Sequence, residues 1–173
     1  MGWLRRLYGK LRLEINEAKS AVSSVFGRKF LGYALWVAKG REVKYKVAAK
    51  AIGNFKARIR QLTRRSIGRS ISQVVDKLRP YLLGWKAYFG LVQTPGVWRE
   101  LDEWLRHRLR ALQLRHWKRG ATIYRELRSL GATHDVARQV SVNGRRWWRG
   151  SAKLLNSVLT IAHFDRLGLP RLS

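Results

Sequence analysis

The spacing of apolar residues changes once along this chain, and the change divides it. Over 11–15, Leu11, Leu13 and Ile15 alternate with Arg12 and Glu14, the two-residue period of a half-buried strand, before an Asn16-Glu17 turn. A second apolar run, 30–37, is followed by Lys39-Gly40 and by alternating Val43, Tyr45 and Val47, which predicts a hairpin. Beyond Val47 the steps become three and four: Ile52, Phe55, Ile59 and Leu62, with Lys56, Arg58, Arg60, Arg64 and Arg65 on the remaining faces. Helix is expected from there onward. Ser70 followed by Gln73 is a capping-box signal, and Ile71, Val74, Val75, Leu78, Leu82, Trp85 and Phe89 then hold one face, with Pro80 expected to kink or interrupt the helix before Gly90 ends it. Thr94-Pro95 opens a third helix with a buried stripe of Val97, Leu101, Trp104, Leu105, Leu109 and Leu112; its other side carries Arg99, Arg106, Arg108, Arg110 and Arg115. Shorter helices are predicted over 122–130, closed by Gly131, over 133–140, closed by Asn143-Gly144, and over 151–167, closed by Gly168-Leu169-Pro170. The fold class is therefore mostly α (α+β), with short N-terminal strands and a hairpin leading into a helical bundle.

Composition narrows the partner. Lys+Arg number 37 against 10 Asp+Glu, a formal charge of +27 over 173 residues, while 46% hydrophobic content and eight Trp exclude a disordered basic tail. Arginine outnumbers lysine 25 to 12, and the planar guanidinium fork matches phosphate oxygens and base edges, so nucleic acid is preferred to a membrane surface. Zero cysteines remove disulfide frameworks, cysteine-based zinc sites, iron–sulfur clusters and thiol catalysis. No run approaches the roughly 20 apolar residues of a membrane span, and the first residues lack a secretory apolar core. A cytoplasmic (bacterial) or organellar location is expected, not a secreted one.

Catalysis by acid–base or two-metal chemistry needs converging carboxylates. Asp102-Glu103 is the adjacent acidic pair, and it is expected to complement the dipole of a helix's first turn instead of holding a ligand. His107, His116, His134 and His163 lack the four-residue pairing of a helical metal site; His107 and His116, set among arginines, are expected to add phosphate contacts. No glycine-rich phosphate loop or nucleophile elbow occurs. The residues thus predict no catalytic group, metal or cofactor. They do predict RNA contacts, because exposed tryptophan beside arginine stacks on an unpaired base while the guanidinium pairs a phosphate. The candidates are Trp117, Lys118 and Arg119 at a helix end, and Arg145, Arg146, Trp148 and Arg149 in a loop where either Trp147 or Trp148 is a core anchor. Arg58, Arg64, Arg65, Arg69, Arg106, Arg108, Arg110 and Arg115 join them on helical faces that few acids neutralise.

Several runs are also familiar: Leu13-Glu14-Ile15-Asn16-Glu17-Ala18-Lys19-Ser20, Phe30-Leu31-Gly32-Tyr33, the 55–65 segment, Leu78-Arg79-Pro80-Tyr81-Leu82-Leu83-Gly84-Trp85-Lys86-Ala87-Tyr88-Phe89, Leu101-Asp102-Glu103-Trp104-Leu105-Arg106-His107-Arg108-Leu109, and the ending Asp165-Arg166-Leu167-Gly168-Leu169-Pro170. Together they resemble group II intron-encoded reverse transcriptases over nearly the whole chain. The resemblance implies a remnant of the polymerase palm over 1–47, thumb and maturase-specific (domain X) helices over 48–120, and a helical extension of domain X over 121–173. It implies that Lys19 matches a late-palm lysine and that 30–33 match a primer-grip-like turn, while the family's upstream Asp-Asp motif is missing from this chain. The family's magnesium would serve only a complete polymerase.

The expected function is an RNA-binding maturase portion that grips structured intron RNA to assist splicing and has no polymerase site of its own. One alternative is a fragment of an active RNA-directed DNA polymerase, touching RNA/DNA primer–template and a missing upstream polymerase segment. The other is a generic basic nucleic-acid-binding protein.

Overall fold

The computed structural model describes residues 2–14, 16, 24, 26–64, 68–143, 148 and 154–173. Among them the chain runs α1 (Gly2–Lys10), β1 (Lys29–Phe30), β2 (Tyr33–Val37), β3 (Val43–Val47), α2 (Ala49–Leu62), α3 (Ile71–Tyr88), α4 (Pro95–Trp117), α5 (Gly120–Ser129), α6 (His134–Val142), a 3-10 turn (Leu154–Asn156) and α7 (Ile161–Arg166). A mostly helical chain with a small antiparallel sheet ahead of the bundle is what the apolar periods predict, and the switch falls where β3 gives way to α2.

The three strands lie in the order β1-β2-β3. Tyr33 pairs with Val47 and Val37 with Val43, so the hairpin about Lys39-Gly40 has the register its alternation demands. The 30–37 run is not one strand, however. Leu31 and Gly32 both take positive φ (49° and 81°), and the chain reverses there so that Phe30 pairs with Tyr33. Gly32 is required at that corner: a Cβ would lie 3.1 Å from the Phe89 ring, in a backbone region that side chains avoid.

The 11–15 strand is not formed. Residues 2–10 make a helix, and the chain leaves it through a C-cap in which Arg12 N donates to Gly9 O (3.1 Å) and Leu13 N to Tyr8 O (2.9 Å), with Arg12 at φ 54°. Leu11 and Leu13, 60% and 55% exposed, alternate with polar residues but pair with no strand among the described residues. Period alone cannot supply a partner. Ile15, Glu17 and Lys19 lie outside the described residues.

In the bundle, α3 begins with the predicted capping box: Gln73 N donates to Ser70 Oγ and Ser70 N to Gln73 Oε1. It runs unbroken through Pro80, against expectation. Proline leaves the Asp76 carbonyl without its helical donor, and because Asp76 and Pro80 are both exposed, that carbonyl faces solvent and costs little. Helices α5 and α6 close as predicted at Gly131 (φ 88°) and Asn143. The 151–167 helix is instead split: Thr160 caps α7 by accepting from His163 N (3.2 Å), and the Leu159 carbonyl just before it is taken by Arg110 Nε (2.8 Å). A carbonyl bound sideways cannot continue a helix. Residues 151–153 are outside the described set.

Helix α4 is the axis. At 1.5 Å per residue its 23 residues span about 35 Å. Leu101, Leu105, Leu109 and Leu112 face the core with Phe55, Ile59, Leu78 and Leu82, and on its further sides Ala111, Leu114, Asp102, Arg106 and Arg110 are buried too. Asp102, 1% exposed, is not a first-turn dipole complement. It lies eight residues into the helix, where its carboxylate accepts from Leu172 N (3.1 Å), Ser173 N (2.9 Å) and Ser173 Oγ (2.7 Å), and stands 3.8 Å from Arg106 Nη1. The chain after α7 is thereby strapped across α4. Removing that carboxylate leaves a buried guanidinium and the strap's buried amides unpaired. Asp102→Ala is therefore expected to lower unfolding free energy by about 3–5 kcal/mol, measured by urea denaturation; substituting the partly exposed Asp165, paired with Arg171, should cost far less.

Candidate nucleic-acid interface

The residues proposed from sequence to touch RNA separate into three groups. Arg69, Arg115, Trp117 and Lys118 converge. They line a groove of about 790 Å³ between the start of α3 and the end of α4, together with Ser70, His116 and His163. Local sequence explains each position. Gly68, at φ 60°, turns the chain into the Ser70 cap and sets Arg69 at the helix mouth. At the far wall α4 ends because Lys118 adopts φ 56°, donating its amide to Leu114 O at 3.3 Å. Trp117 packs its ring partly into the core, which holds the groove wall rigid. Arg119 follows, exposed, as the residue that caps α5.

The second group is spent on the fold. Arg108 donates from Nε to Thr63 Oγ1 (2.5 Å) and from Nη2 to Arg60 O (3.4 Å), tying α4 to the C-terminal end of α2, where a cation also suits the helix dipole. Burial, then the charges of Arg60 and Arg115, lower its pKa. Arg106 and Arg110 are 8% and 7% exposed, so the expected arginine face of this helix is in large part interior. Arg110 is pulled down to about 10, first by burial and then by Arg106. Both line a second cleft, beside α4's N-terminal half.

The third group is peripheral. Arg58, exposed, donates to Gln61 Oε1 (3.2 Å), and Arg64 is exposed just past α2. Trp148 is exposed, its ring tilted against that of His107 with centroids 4.0 Å apart, and its carbonyl lies 2.9 Å from His107 Nε2. That contact accounts for His107 better than a phosphate does. Arg65, Arg145, Arg146 and Arg149, with Trp147, fall outside the described residues. Two features escaped the sequence reading: Lys56 Nζ and Arg60 Cζ lie 5.6 Å from the Trp104 ring centroid, and Asp102 anchors the strap. The second had a visible signal, since Asp102 and Arg106 stand four apart on one helix. Among the described residues no group of three or more His, Asp or Glu is placed to hold a metal ion.

His116 and His163 bring hydrogen-bonding capacity to the groove instead of charge. Burial and then Lys118 lower the pKa of His116 below an ordinary histidine's 6.5; burial and then Arg166 do the same for His163. Both imidazoles are thus neutral at pH 7 in the folded protein, while the unfolded chain takes up protons as pH falls to about 6.5. Their contribution to stability is present above that pH and is lost as pH falls through the folded values. The thermal midpoint is expected to drop between pH 7 and pH 5 in calorimetry, and a His116→Gln/His163→Gln variant should flatten that dependence.

No curated protein matches the chain. Its residues 52–131 do match a family model, that of the Group II intron, maturase-specific domain. The matched segment runs from α2 through α5 and contains Arg69, Arg115, Trp117 and Lys118, so the groove and the likeness to a group II intron maturase domain coincide.

Proposed function

We propose that this chain is the RNA-binding maturase portion of a group II intron-encoded protein, which grips structured intron RNA and assists its splicing without a polymerase site of its own. The observation that carries the reading is the groove between α3 and α4. Three cationic side chains from two helix ends meet there inside the segment that matches the maturase-specific domain. The first-turn amides of Ile71 and Ser72, which no intrahelical bond uses, belong to residues of the same wall and suit a phosphate oxygen. Trp117 gives the wall an aromatic surface beside these charges, the combination that holds a ribose-phosphate chain with unpaired bases. The formal charge of +27 draws the polyanion in from a distance, and the groove fixes where it is held.

The sheet favours the related reading that residues 1–47 are a palm remnant. It is tethered to the end of α3: Tyr88 Oη donates to Leu31 O (2.8 Å), Tyr33 Oη donates to Tyr88 O, and Gln93 N donates to Tyr45 O (3.0 Å). Phe26 and Phe30 remain exposed at the sheet, as do Trp3 and Leu11 in and after α1, apolar surface suited to an upstream polymerase segment. The chain has no Asp-Asp pair to bind a polymerase's magnesium.

Binding to group II intron RNA should exceed binding to arbitrary RNA of equal length in filter-binding competition, and equal affinities would remove the maturase assignment. Arg69→Ala and Lys118→Ala should each weaken binding to any RNA and reduce the slope of log K against log salt by roughly one. An unchanged slope would place the phosphate contacts elsewhere. In primer extension with magnesium and deoxynucleotides, the chain alone is expected to incorporate nothing.

A further inference from the structure

The second cleft, about 630 Å³, has a composition that a phosphate backbone alone does not explain. Its lining includes Arg106 and Arg110, both more than nine-tenths buried. Among the described residues, Arg106's guanidinium takes part in no hydrogen bond. Its partner is the Asp102 carboxylate at 3.8 Å, whose oxygens already accept from Leu172 and Ser173. Arg110 uses Nε on Leu159 O (2.8 Å), and its two terminal nitrogens have no hydrogen bond among the described residues. Two buried cations one helical turn apart thus hold unused donors, and the one carboxylate paired with them among the described residues, Asp102, is itself saturated and stands beside Arg106 alone. Such a pair calls for an anion.

The same cleft is lined by Glu100 and Glu103, two of only ten acids in the chain, beside the Trp104 ring. Both glutamates are exposed, so they serve no buried pairing. They would repel a run of phosphates, yet they accept hydrogen bonds well. A ligand that satisfies the whole cleft carries an anion at one end and a flat ring with N–H donors at the other. A nucleotide does so, and among the common bases guanine presents adjacent N1–H and N2–H groups on its Watson–Crick edge. Glu103 and Arg110 lie seven residues apart on α4, about 10 Å along the axis, the span from a nucleotide's phosphate to its base edge.

We propose that this cleft captures one unpaired guanosine nucleotide of the bound RNA, with its phosphate on Arg106 and Arg110, its base against Trp104, and its N1–H and N2–H edge on the Glu100 and Glu103 carboxylates. The inference rests on the RNA-binding reading and adds to it a base preference that the first groove does not provide.

The test is fluorescence anisotropy of the full chain with four labelled RNA decamers: all-uridine, and uridine with one central guanosine, adenosine or inosine. The guanosine decamer should bind tighter than the adenosine decamer by on the order of tenfold. Inosine, which keeps N1–H but lacks the 2-amino group, should fall between them. Glu100→Gln/Glu103→Gln removes two negative charges and should raise affinity for every decamer while bringing the guanosine-to-adenosine ratio close to one. Trp104→Ala should weaken the guanosine decamer by on the order of tenfold; circular dichroism checks its fold, and the exposed glutamate variant decides the matter if that fold is lost. Equal affinities of the parent chain for guanosine and adenosine decamers overturn the cleft assignment alone, as does a ratio unmoved by the glutamate variant. Failure to bind any decamer overturns the cleft assignment, and failure to bind group II intron RNA as well overturns the RNA-binding reading with it.

Discussion

Burial of α4 on nearly every side is the constraint from which the rest of the structure follows. A central helix in a small bundle must offer apolar surface to several neighbours at once, and α4 does so with Leu101, Leu105, Leu109 and Leu112 on one stripe and Ala111 and Leu114 on another. Its remaining arc is polar, and covering it demands partners, because an unpaired buried charge costs several kcal/mol. Asp102 meets that demand with the strap amides, Arg110 with the Leu159 carbonyl, and Arg108 with the end of α2. These polar contacts do more than offset desolvation. They set where 154–173 turns, where α7 starts, and how α2 lies against α4. A leucine in place of any one of them would fill space without choosing a direction.

A second dependence links sheet and bundle. From Tyr33 through Phe89, Trp85 and Phe55 to Tyr81, neighbouring ring centroids stand 5.1, 4.6, 4.5 and 5.7 Å apart, a continuous aromatic path from β2 across α3 to α2. Aromatic pairs of this kind, three tilted and the Phe55–Tyr81 pair stacked, add to ordinary area burial and keep a fixed geometry. The outer edge of β3 is closed locally as well: the Gln93 side chain and amide take up both the N–H and the C=O of Tyr45, which would otherwise present an open ladder. The three strands therefore hold their place by contacts made to the bundle, since so small a sheet has little stability of its own.

Much of this was legible from period and punctuation. The apolar stripes of α2, α3 and α4, the Ser70 capping box and the glycine stops at Gly131 and Gly168 are local signals, and the structure uses them locally. What escaped required knowledge of neighbours. Alternation over 11–15 is indistinguishable from a strand until one sees that, among the described residues, no strand pairs with 11–14. The split at Thr160 depends on Arg110, fifty residues earlier in the chain. Of the candidate site, the run Trp117-Lys118-Arg119 was legible because a helix end is exposed by construction. Arg106 and Arg110 are expected from the sequence on an open, phosphate-contacting face because apolar periodicity assumes one buried side, whereas the axis of a bundle has several.

Charge gives these pieces a common consequence. A chain with 37 basic and 10 acidic residues repels itself at every surface, and the compact state brings those charges closer than the unfolded state does. The fold sharpens the repulsion at its centre by placing Arg106 and Arg110 one turn apart in low dielectric, which is why burial and a like neighbour depress Arg110 together. A bound polyanion relieves both the diffuse and the local terms. A ligand that binds the folded state alone, at free concentration L, stabilises it by RT ln(1 + L/Kd), so any polyanion that the folded chain binds would offset the cost of holding these arginines together. The attraction this chain exerts on a polyanion and the repulsion that opposes its own compaction are then one electrostatic property, set by the same small number of acids.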